Sequence, residues 1–438
     1  MGLDDSVAAV LASGMSENKP LQIAVVGGGA AGFFGAIAAA ELGASVTLFE
    51  KGSQFLTKVR ISGGGRCNVT HACFEPRALA ERYPRGKRAL IGPFNRFQPR
   101  DTVEWFQARG VPLKTESDGR IFPVSDSSQS IIDCLLTAAE KAGVILRPSC
   151  GVAGIRLGSR VETEETPAQY RNDLLAKTEG FELRLATGET FSCDRVLLAG
   201  GGCRTPAAGT LATSFGHTLV PPVPSLFTFE IRENWLREIP GVVADVKASV
   251  PGTKLHESGP LLITHWGVSG PAILRLSAWG ARELHDKDYH FPLHVDWLPG
   301  LNAREEITKR RIELPGRAVW KSPIPPLAAR LWEKLVQISE IDTATTWNRL
   351  PRDQAAALVE ALHRTELRVT GKSLNKDEFV TCGGVRLPEV DFRTMESRLC
   401  PRLFFAGEIL DIDGITGGFN FQAAWTTAWI AGNAMART

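Results

Sequence analysis

Three glycines near the start of the chain have the spacing of a phosphate-binding turn. Gly27, Gly29 and Gly32 form a G-x-G-x-x-G pattern directly after the apolar run 21–26. The first permits a tight turn, the second lets backbone approach a pyrophosphate, and the third allows close packing of helix on strand. Glu50 ends a second apolar run, where a carboxylate hydrogen-bonds a ribose diol and disfavours a 2′-phosphate. The pattern predicts a dinucleotide site for NAD or FAD.

Further glycine clusters could present backbone N–H groups to an anion or a ring edge. They lie at 62–68 (SGGGRCN), 197–202 (LLAGGG) and 404–422, which contains FAGE and GGFNFQ. A helix beginning at 417–420 would direct N–H donors, with Asn420, at the negative charge on the N1 side of a reduced flavin. A flexible loop is the alternative interpretation of 62–68. Together the clusters favour FAD over NAD.

The segment 264–271 (THWGVSGP) holds the candidate for chemistry on the substrate side. His265 could act as an acid or a base, because the ordinary imidazole pKa is about 6.5. The alternative is a turn whose histidine is only hydrogen-bonded. The run 370–373 (TGKS) is not a P-loop, because Glu366 stands where the first glycine is required.

The elements that would position these residues begin with a β-α-β unit of strand 21–26, helix 30–42 and strand 45–49. Proline then marks an exit at 221–224, β-patterned runs follow, and 304–363 has a helical pattern. Glycine-rich sequence returns at 381–384. We predict a mobile extension (1–19), an FAD-binding domain in two parts (20–204 and 371–438), a β-rich insert (205–300) and a helical insert (301–370).

The composition excludes some classes of partner. The chain has 438 residues, with 50 Lys and Arg against 48 Asp and Glu, and a formal net charge of +2. This balance gives no electrostatic reason to expect nucleic acid or a membrane surface as partner. None of the 8 cysteines stands in C-x-x-C spacing, so we predict reduced thiols and no metal site. The apolar stretch 23–40 is interrupted by glycines, so no membrane span is predicted, and a cytoplasmic location is expected.

Four segments resemble one known family in the same order. They are VGGGAAGFFGAIAAAELGASVTLFEK (26–51), KVRISGGGRCNVTH (58–71), LLITHWGVSGPAILRLS (261–277) and FAGEILDIDGITGGFNFQAAWTTAWIAG (405–432). The chain closely resembles the BaiN/RdsA-type flavoproteins, also called aminoacetone-oxidase-like and related to the fumarate-reductase flavoprotein group. The resemblance implies an α/β fold: a Rossmann-like FAD-binding domain of the glutathione-reductase/fumarate-reductase type, interrupted by a β-barrel-like subdomain and a helical subdomain.

The resemblance also implies the residues that contact FAD. Pyrophosphate would be held at Gly27, Gly29, Ala31 and Gly32, and the adenosine ribose by Glu50 with Lys51 beside it. Arg66, Cys67 and Asn68 would approach the flavin or its diphosphate, the Val152 backbone would bind adenine, and Asp413 and Asn420 would contact ribityl and flavin. The glycine clusters add further predicted cofactor-binding residues: Gly64, Gly65, Gly200, Gly201, Gly407, Glu408, Gly417, Gly418 and Phe419.

Hydride transfer at flavin N5 leaves two reactions on a small substrate open. Reduction of a conjugated C=C or C=O bond follows from the similarity to fumarate reductases, and amine oxidation with oxygen follows from the aminoacetone-oxidase name. A second G-x-G-x-x-G is absent, so electrons would come from the substrate or from NADH or NADPH bound transiently. A flavoprotein that modifies RNA or senses redox state is a different alternative. It depends on a local basic run, Arg82, Arg85, Lys87, Arg88, Arg96 and Arg100, which is more often a solvated loop.

Overall fold

The structure is a computed structural model, and it describes residues 20–158, 180–203, 206–373 and 380–437. The extension predicted at 1–19 lies outside these residues. No helix in the described residues is long and apolar enough to cross a membrane.

A seven-stranded sheet in the described residues forms the centre of the nucleotide-binding part. Four of its five parallel strands are largely buried apolar runs, as expected for a sheet covered on both faces, and the fifth, Ile145–Arg147, is a partly exposed edge strand. A short hairpin extends the sheet antiparallel to its last parallel strand. In spatial order the strands are Val390–Asp391, Glu396–Ser397, Leu403–Phe405, Arg195–Leu198, Gln22–Val26, Ser45–Phe49 and Ile145–Arg147.

Two helices that are distant in sequence pack on this sheet in direct contact. The N-terminal helix (Ala30–Ala40) and the C-terminal helix (Phe419–Met435) are rich in small residues and buried on almost every side. A Cβ on Gly35 would lie 2.6 Å from Leu197 Cδ2, and one on Gly432 would lie 2.5 Å from the Gly35 oxygen. The two backbones can approach this closely only because glycine stands at both positions.

A closed six-stranded antiparallel barrel forms the second body of the molecule. Alternate residues such as Phe229, Ile231, Leu293 and Val295 are buried inside it, as the two-residue period of a strand requires. Three helices lie between its last two strands and bury Trp332 against the rest of this core. The strands in order around the barrel are Thr228–Ile231, Gly267–Ser269, His256–Ile263, Val243–Ser249, Phe291–Asp296 and Thr365–Ser373, and the helices are Ala303–Glu313, Ala329–Ile338 and Arg352–His363.

Smaller elements complete the described fold. The remaining strands are Leu219–Ser225 with Val380–Val385, then Thr70–His71, Arg120–Pro123 and Leu113–Thr115, and finally Val152–Leu157, Phe181–Leu185 and Thr190–Cys193. The remaining α-helices are Thr57–Ile61, Pro76–Ala80, Lys87–Phe94, Pro99–Gln107, Ser128–Lys141, Pro206–Thr213, Asn234–Arg237, Pro271–Trp279 and Ala281–Asp286. Short 3-10 helices occur at Trp347–Arg349, Leu387–Glu389 and Gly407–Ile409.

The predicted fold class, a Rossmann-like FAD-binding domain interrupted by a barrel, agrees with this architecture. One difference concerns the order of the inserts. The helical region does not follow the barrel but is inserted before its closing strand, Thr365–Ser373, which pairs with both Phe291–Asp296 and Thr228–Ile231. The domain limits at 205, 300 and 371 stay a prediction.

A buried histidine joins the edge of the nucleotide-binding part to the neighbouring small sheet. His217 Nε2 lies 2.7 Å from Ser397 Oγ, and Nδ1 lies 3.2 Å from Glu389 Oε2. Burial lowers the pKa of His217 despite the opposing effect of Glu389. Burial also acts to raise the pKa of Glu389, but hydrogen bonds from Thr218 and His217 hold it below its ordinary value of 4.5.

These pKa directions predict how stability depends on pH. The folded protein binds fewer protons at His217 than the unfolded chain, so the free energy of unfolding should fall as pH drops below about 6.5. Urea unfolding between about pH 7.5 and 5.5 separates His217 from Glu389, which contributes only at lower pH. Burial also lowers the pKa of His71, but His71 is present in wild type and variant alike, so the difference between their slopes reports His217. We expect His217→Gln to have a shallower pH dependence than the wild type. His256→Gln, at an exposed position, is the control; equal slopes in all three proteins would contradict the assignment.

Candidate functional site

A cleft of about 620 Å³ separates the nucleotide-binding part from the barrel. Its floor contains residues from all four glycine clusters that the sequence singles out, and its opposite wall comes mainly from the barrel and the adjoining small sheet. The residues of the floor are Gly27–Ala31, Glu50, Lys51, Gln54, Leu56–Lys58, Ile61–Gly64, Ala199–Gly201, Gly407, Glu408, Asn420, Phe421, Ala423, Ala424 and Thr427.

The first glycine turn has the geometry that its sequence predicts. Gly27 has φ +113°, and its N–H donates to the Phe49 oxygen at 2.8 Å. A Cβ on Gly32 would lie 1.8 Å from the Gly27 oxygen, so this position joins helix to turn without room for a side chain. A Cβ on Gly29 would meet nothing within 4 Å, because Gly29 faces the cleft. The turn therefore offers bare backbone to a pyrophosphate.

Glu50 is held at the end of its strand by two backbone donors. Its Oε2 accepts from the Gly28 N–H at 2.8 Å and its Oε1 from the Gly52 N–H at 2.7 Å. Both Glu50 and Lys51 line the cleft. A carboxylate oxygen has further acceptor capacity, so Glu50 can still receive a ribose hydroxyl.

We expect Glu50→Gln to lower FAD affinity by about 1–2 kcal/mol, or roughly 5- to 30-fold. In the glutamine side chain an NH2 group replaces one carboxylate oxygen. This NH2 group would face a backbone N–H, donor against donor, and the loss of negative charge would weaken the hydrogen bond to ribose. Titration of apoprotein with FAD, followed by quenching of flavin fluorescence, measures the change. Glu140→Gln, at an exposed helical position, should bind as the wild type does. If Glu50→Gln bound FAD as tightly as the wild type, Glu50 would not be the residue that binds the ribose.

The loop at 62–68 presents only its first part to the cleft. Gly63, Gly64 and Gly65 have φ values of 59°, 67° and 84°, and Ser62 to Gly64 line the cleft while Gly65 lies beyond it. Arg66 turns away: its guanidinium pairs with Glu116 at 2.7 Å and lies 4.0 Å from the centre of the Phe122 ring. The predicted approach of Arg66 to the flavin or its diphosphate stays a prediction.

Asn68 holds this loop to the start of the C-terminal helix, and neither Cys67 nor Asn68 lines the cleft. Cys67 is fully buried, and burial raises the pKa of its thiol to about 12. With its amide oriented to suit its neighbours, Asn68 accepts from the Gly418 N–H at 3.0 Å and donates to the Thr70 oxygen at 3.0 Å. Asn68 therefore joins two glycine clusters that are far apart in sequence.

The start of the C-terminal helix is fixed from several sides. Gly418 has φ +90°, and a Cβ there would lie 2.6 Å from the Thr70 oxygen. The Phe419 ring stacks on His71 with centroids 4.7 Å apart, and the Phe419 oxygen accepts from Tyr83 Oη at 2.6 Å. Gly417, Gly418 and Phe419 lie behind the cleft surface, and their predicted cofactor contacts stay predictions.

Asn420, Gly407 and Glu408 reach the cleft from the same region. The Asn420 amide closes a ring with Gly414, accepting from its N–H at 2.8 Å and donating to its oxygen at 3.0 Å. Glu408 pairs with Lys58 and accepts from the Thr381 N–H at 2.8 Å. These contacts fix the orientation of the Asn420 and Glu408 side chains, which the sequence identified as candidates but could not orient.

Three predicted residues lie elsewhere. Asp413 is completely buried and binds Arg85 and Ser225, with 2.8 Å to Ser225 Oγ. Val152 begins a strand of a separate small sheet and does not line the cleft. His265 lies on the exposed turn between two barrel strands, outside the lining. Their predicted roles toward adenine, ribityl and substrate stay predictions.

The opposite wall consists of residues that sequence reasoning missed. They are mostly apolar or hydroxylated: Leu226, Thr228, Ser269, Leu274, Ser373, Val380, Ile412 and Thr416. Ser269 and Leu274 lie in the resemblance segment 261–277, and Ile412 and Thr416 lie in the segment 405–432, but no residue of this wall was selected for a role. In the described residues no cluster of His, Cys, Asp or Glu could hold a metal ion.

Glycine floor and barrel wall face each other across one cleft, an arrangement that places the protein among the FAD-dependent oxidoreductases. The chain belongs to the family described as HI0933-like protein Rossmann domain, whose model matches residues 21–434. This match and the relatives below confirm the resemblance predicted from the four sequence segments.

Two relatives align over nearly the whole chain. A ribosomal RNA dihydrouridine synthase of Escherichia coli is 31% identical over 417 residues, which are 92% of this chain and 95% of the relative. A 3-dehydro-bile acid delta(4,6)-reductase of Clostridium scindens is 30% identical over 429 residues, 95% of this chain and 99% of the relative. Among solved structures, a 3-ketosteroid delta1-dehydrogenase from Sterolibacterium denitrificans has the same fold, with a TM-score of 0.50 at 13% identity, covering 95% of this chain and 99% of that one.

Proposed function

We propose that the protein reduces a carbon–carbon double bond conjugated with a carbonyl group, using FAD in the cleft and a reduced nicotinamide as electron donor. One observation carries the proposal: the glycine floor that fits FAD faces a barrel wall of hydroxyl and apolar side chains across a single cleft. The names of both relatives describe reduction of such a bond, one in a pyrimidine base and one in a steroid. A cytoplasmic location belongs to the same proposal.

The residues present fit FAD. Gly29 leaves the space that a pyrophosphate needs, and Glu50 lies where the adenosine ribose would be bound. Gly63, Gly64, Gly201 and the Gly407 turn would let the isoalloxazine ring approach backbone. When bound and reduced, FAD supplies a hydride from N5 to the alkene carbon β to the carbonyl.

Side chains of the protein must stabilise the negative charge that then develops on the substrate. Hydride addition moves the π electrons onto the carbonyl oxygen, and a proton from water or a protein hydroxyl adds at the α carbon. Hydroxyl donors on the barrel wall can stabilise that oxygen where water is excluded. Asn420, fixed by Gly414, is on the opposite side and would orient the flavin. Two electrons from the nicotinamide complete the cycle.

Anaerobic stopped-flow spectroscopy tests this reaction. We expect NADH or NADPH to bleach the flavin absorbance band at about 450 nm. An enone such as 2-cyclohexen-1-one should then restore this band in the absence of oxygen. Rapid anaerobic bleaching by a primary amine, with no reoxidation by enone, would support amine oxidation instead and overturn the proposal.

An RNA substrate is the second candidate, favoured by the name of the E. coli relative. The basic run that would bind RNA is partly engaged within the protein: Arg85 pairs with Asp413, Lys87 with Glu81, and Arg96 donates to the Arg393 oxygen. Filter binding of ribosomal RNA at two salt concentrations separates the candidates. Retention that falls steeply with salt would favour RNA, because each neutralised phosphate releases counterions.

A further inference from the structure

The barrel wall of the cleft contains a row of three hydroxyl side chains. The register pairs Thr228 with Ser373 on one side and Phe229 with Val268 on the other, which sets Ser269 beside Thr228. Neighbouring strands lie about 4.8 Å apart, so this hydroxyl row (Ser269, Thr228, Ser373) extends roughly 10 Å across the wall. All three residues line the cleft.

The members of the hydroxyl row differ in what they can still bind. Thr228 Oγ1 donates to the Ser373 backbone oxygen at 3.1 Å, so its proton is engaged. In the described part of the chain the hydroxyls of Ser269 and Ser373 have no hydrogen-bond partner. They are therefore the two donors that this wall offers to an acceptor oxygen on a bound molecule.

The arginines next to the wall residues are engaged within the protein, and the lysines that line the cleft, Lys51 and Lys58, belong to its floor, where Lys58 pairs with Glu408. Arg275, next to Leu274 of the wall, donates to Glu257 at 3.0 Å. Arg282 binds both oxygens of Asp411, beside Ile412, at 2.7 and 2.9 Å.

Acidic and apolar groups complete this environment. Glu230 lies two residues beyond Thr228 and therefore on the same face of its strand. Leu226, Leu274 and Val380 supply the apolar remainder of the wall. An anionic substrate would lose its hydration here without gaining a cation, whereas a neutral carbonyl compound would gain two hydroxyl donors and apolar contact.

We propose that the hydroxyl row makes the cleft select an uncharged, carbonyl-conjugated alkene over an anionic one, with Ser269 and Ser373 donating to the carbonyl oxygen. This inference rests on the proposed function and defines the chemical class of its substrate. It excludes dicarboxylates and phosphate-bearing molecules as preferred substrates.

Dimethyl fumarate and fumarate share one alkene and differ in charge, but the diester is also the stronger electrophile, so free reduced flavin sets the reference ratio of their rates. We expect the ratio of diester to dianion reoxidation rates for the photoreduced holoenzyme, measured anaerobically, to exceed that reference at least about tenfold. In Ser269→Ala and Ser373→Ala the rate with the diester should fall about tenfold or more at unchanged FAD content, since each loses a donor to the developing oxyanion. Ser258→Ala, on an exposed barrel position, should react as the wild type does.

Placing a positive charge on the same wall should shift the preference towards the anionic probe. Ser269→Lys should raise the rate with fumarate relative to the diester. A wild-type ratio no higher than the free-flavin reference, or an unchanged ratio in Ser269→Lys, would overturn the inference while leaving alkene reduction intact. Failure of both probes and of 2-cyclohexen-1-one to reoxidise the flavin would overturn the proposed function itself.

Discussion

Replacing Gly32 with alanine is expected to destabilise the fold by more than about 3 kcal/mol and to yield protein without FAD. The new Cβ would lie 1.8 Å from the Gly27 oxygen, and the clashing atom is backbone that no rotamer change can move. The N-terminal helix would have to shift away from its strand, which disturbs the turn that faces the cofactor. Urea unfolding of the apoprotein measures the change in stability. The ratio of flavin absorbance at about 450 nm to protein absorbance measures the FAD content.

Two other glycines make the experiment specific. Gly29→Ala meets no protein atom within 4 Å, so its apoprotein should unfold as the wild type does while FAD affinity falls at least about tenfold. Gly92→Ala, in the helix Lys87–Phe94 and also without neighbours, should be neutral or stabilising by up to about 1 kcal/mol. Normal stability and flavin content in Gly32→Ala would mean that the turn relaxes easily, contrary to its packing.

Replacing Arg85 with methionine should cost about 3–5 kcal/mol of unfolding free energy, because it leaves the carboxylate of Asp413 buried without its cation. The Asp413 side chain is 0% exposed and that of Arg85 is 11% exposed. Arg85 also donates to the Ala278 oxygen at 2.6 Å, and Ser225 Oγ donates to Asp413 at 2.8 Å. The network therefore joins the nucleotide-binding part to the small sheet and to the helix that covers the barrel.

A double variant separates charge from packing. Arg85→Met with Asp413→Asn removes both charges, and we expect it to recover about half of the loss or more. The control is Arg88→Met, at an exposed position in the helix Lys87–Phe94 that follows Arg85, and it should change stability by less than about 0.5 kcal/mol. A loss below about 1 kcal/mol in Arg85→Met would show that the buried pair contributes little to stability.

The sequence predicted the β-α-β unit and the geometry of its first glycine turn well because their signals are local. Gly27, Gly32 and Glu50 act within one β-α-β unit, where spacing along the chain determines position in space. Asp101 is of a residue type that often caps helices, but here Pro99 occupies the first turn of the helix, and Asp101 accepts from the Gln98 N–H at 2.7 Å.

Orientation within loops and the content of the barrel wall could not be predicted in this way. Arg66 has the right type and place to meet a phosphate, but Glu116 and Phe122, 50 and 56 residues further along the chain, hold it on the other side of the loop. Thr228, Ser269 and Ser373 become neighbours only when three strands adopt one register, and the motifs that contain Ser269 and Ser373 do not indicate that their hydroxyls meet. Contacts set by tertiary structure leave no local pattern to detect.

The split of the central sheet has a consequence for biosynthesis. Four of its strands, within 22–198, are translated before the barrel strands at 228–373, and three, within 390–405, are translated after them. Asn420 to Thr427, which complete the cleft, follow later still. On the ribosome, the barrel can therefore close while the first half-sheet still exposes the edge of Arg195–Leu198 to its surroundings. The cleft that would hold FAD is complete only afterwards, so cofactor supply and protection of that edge both bear on the yield of active protein.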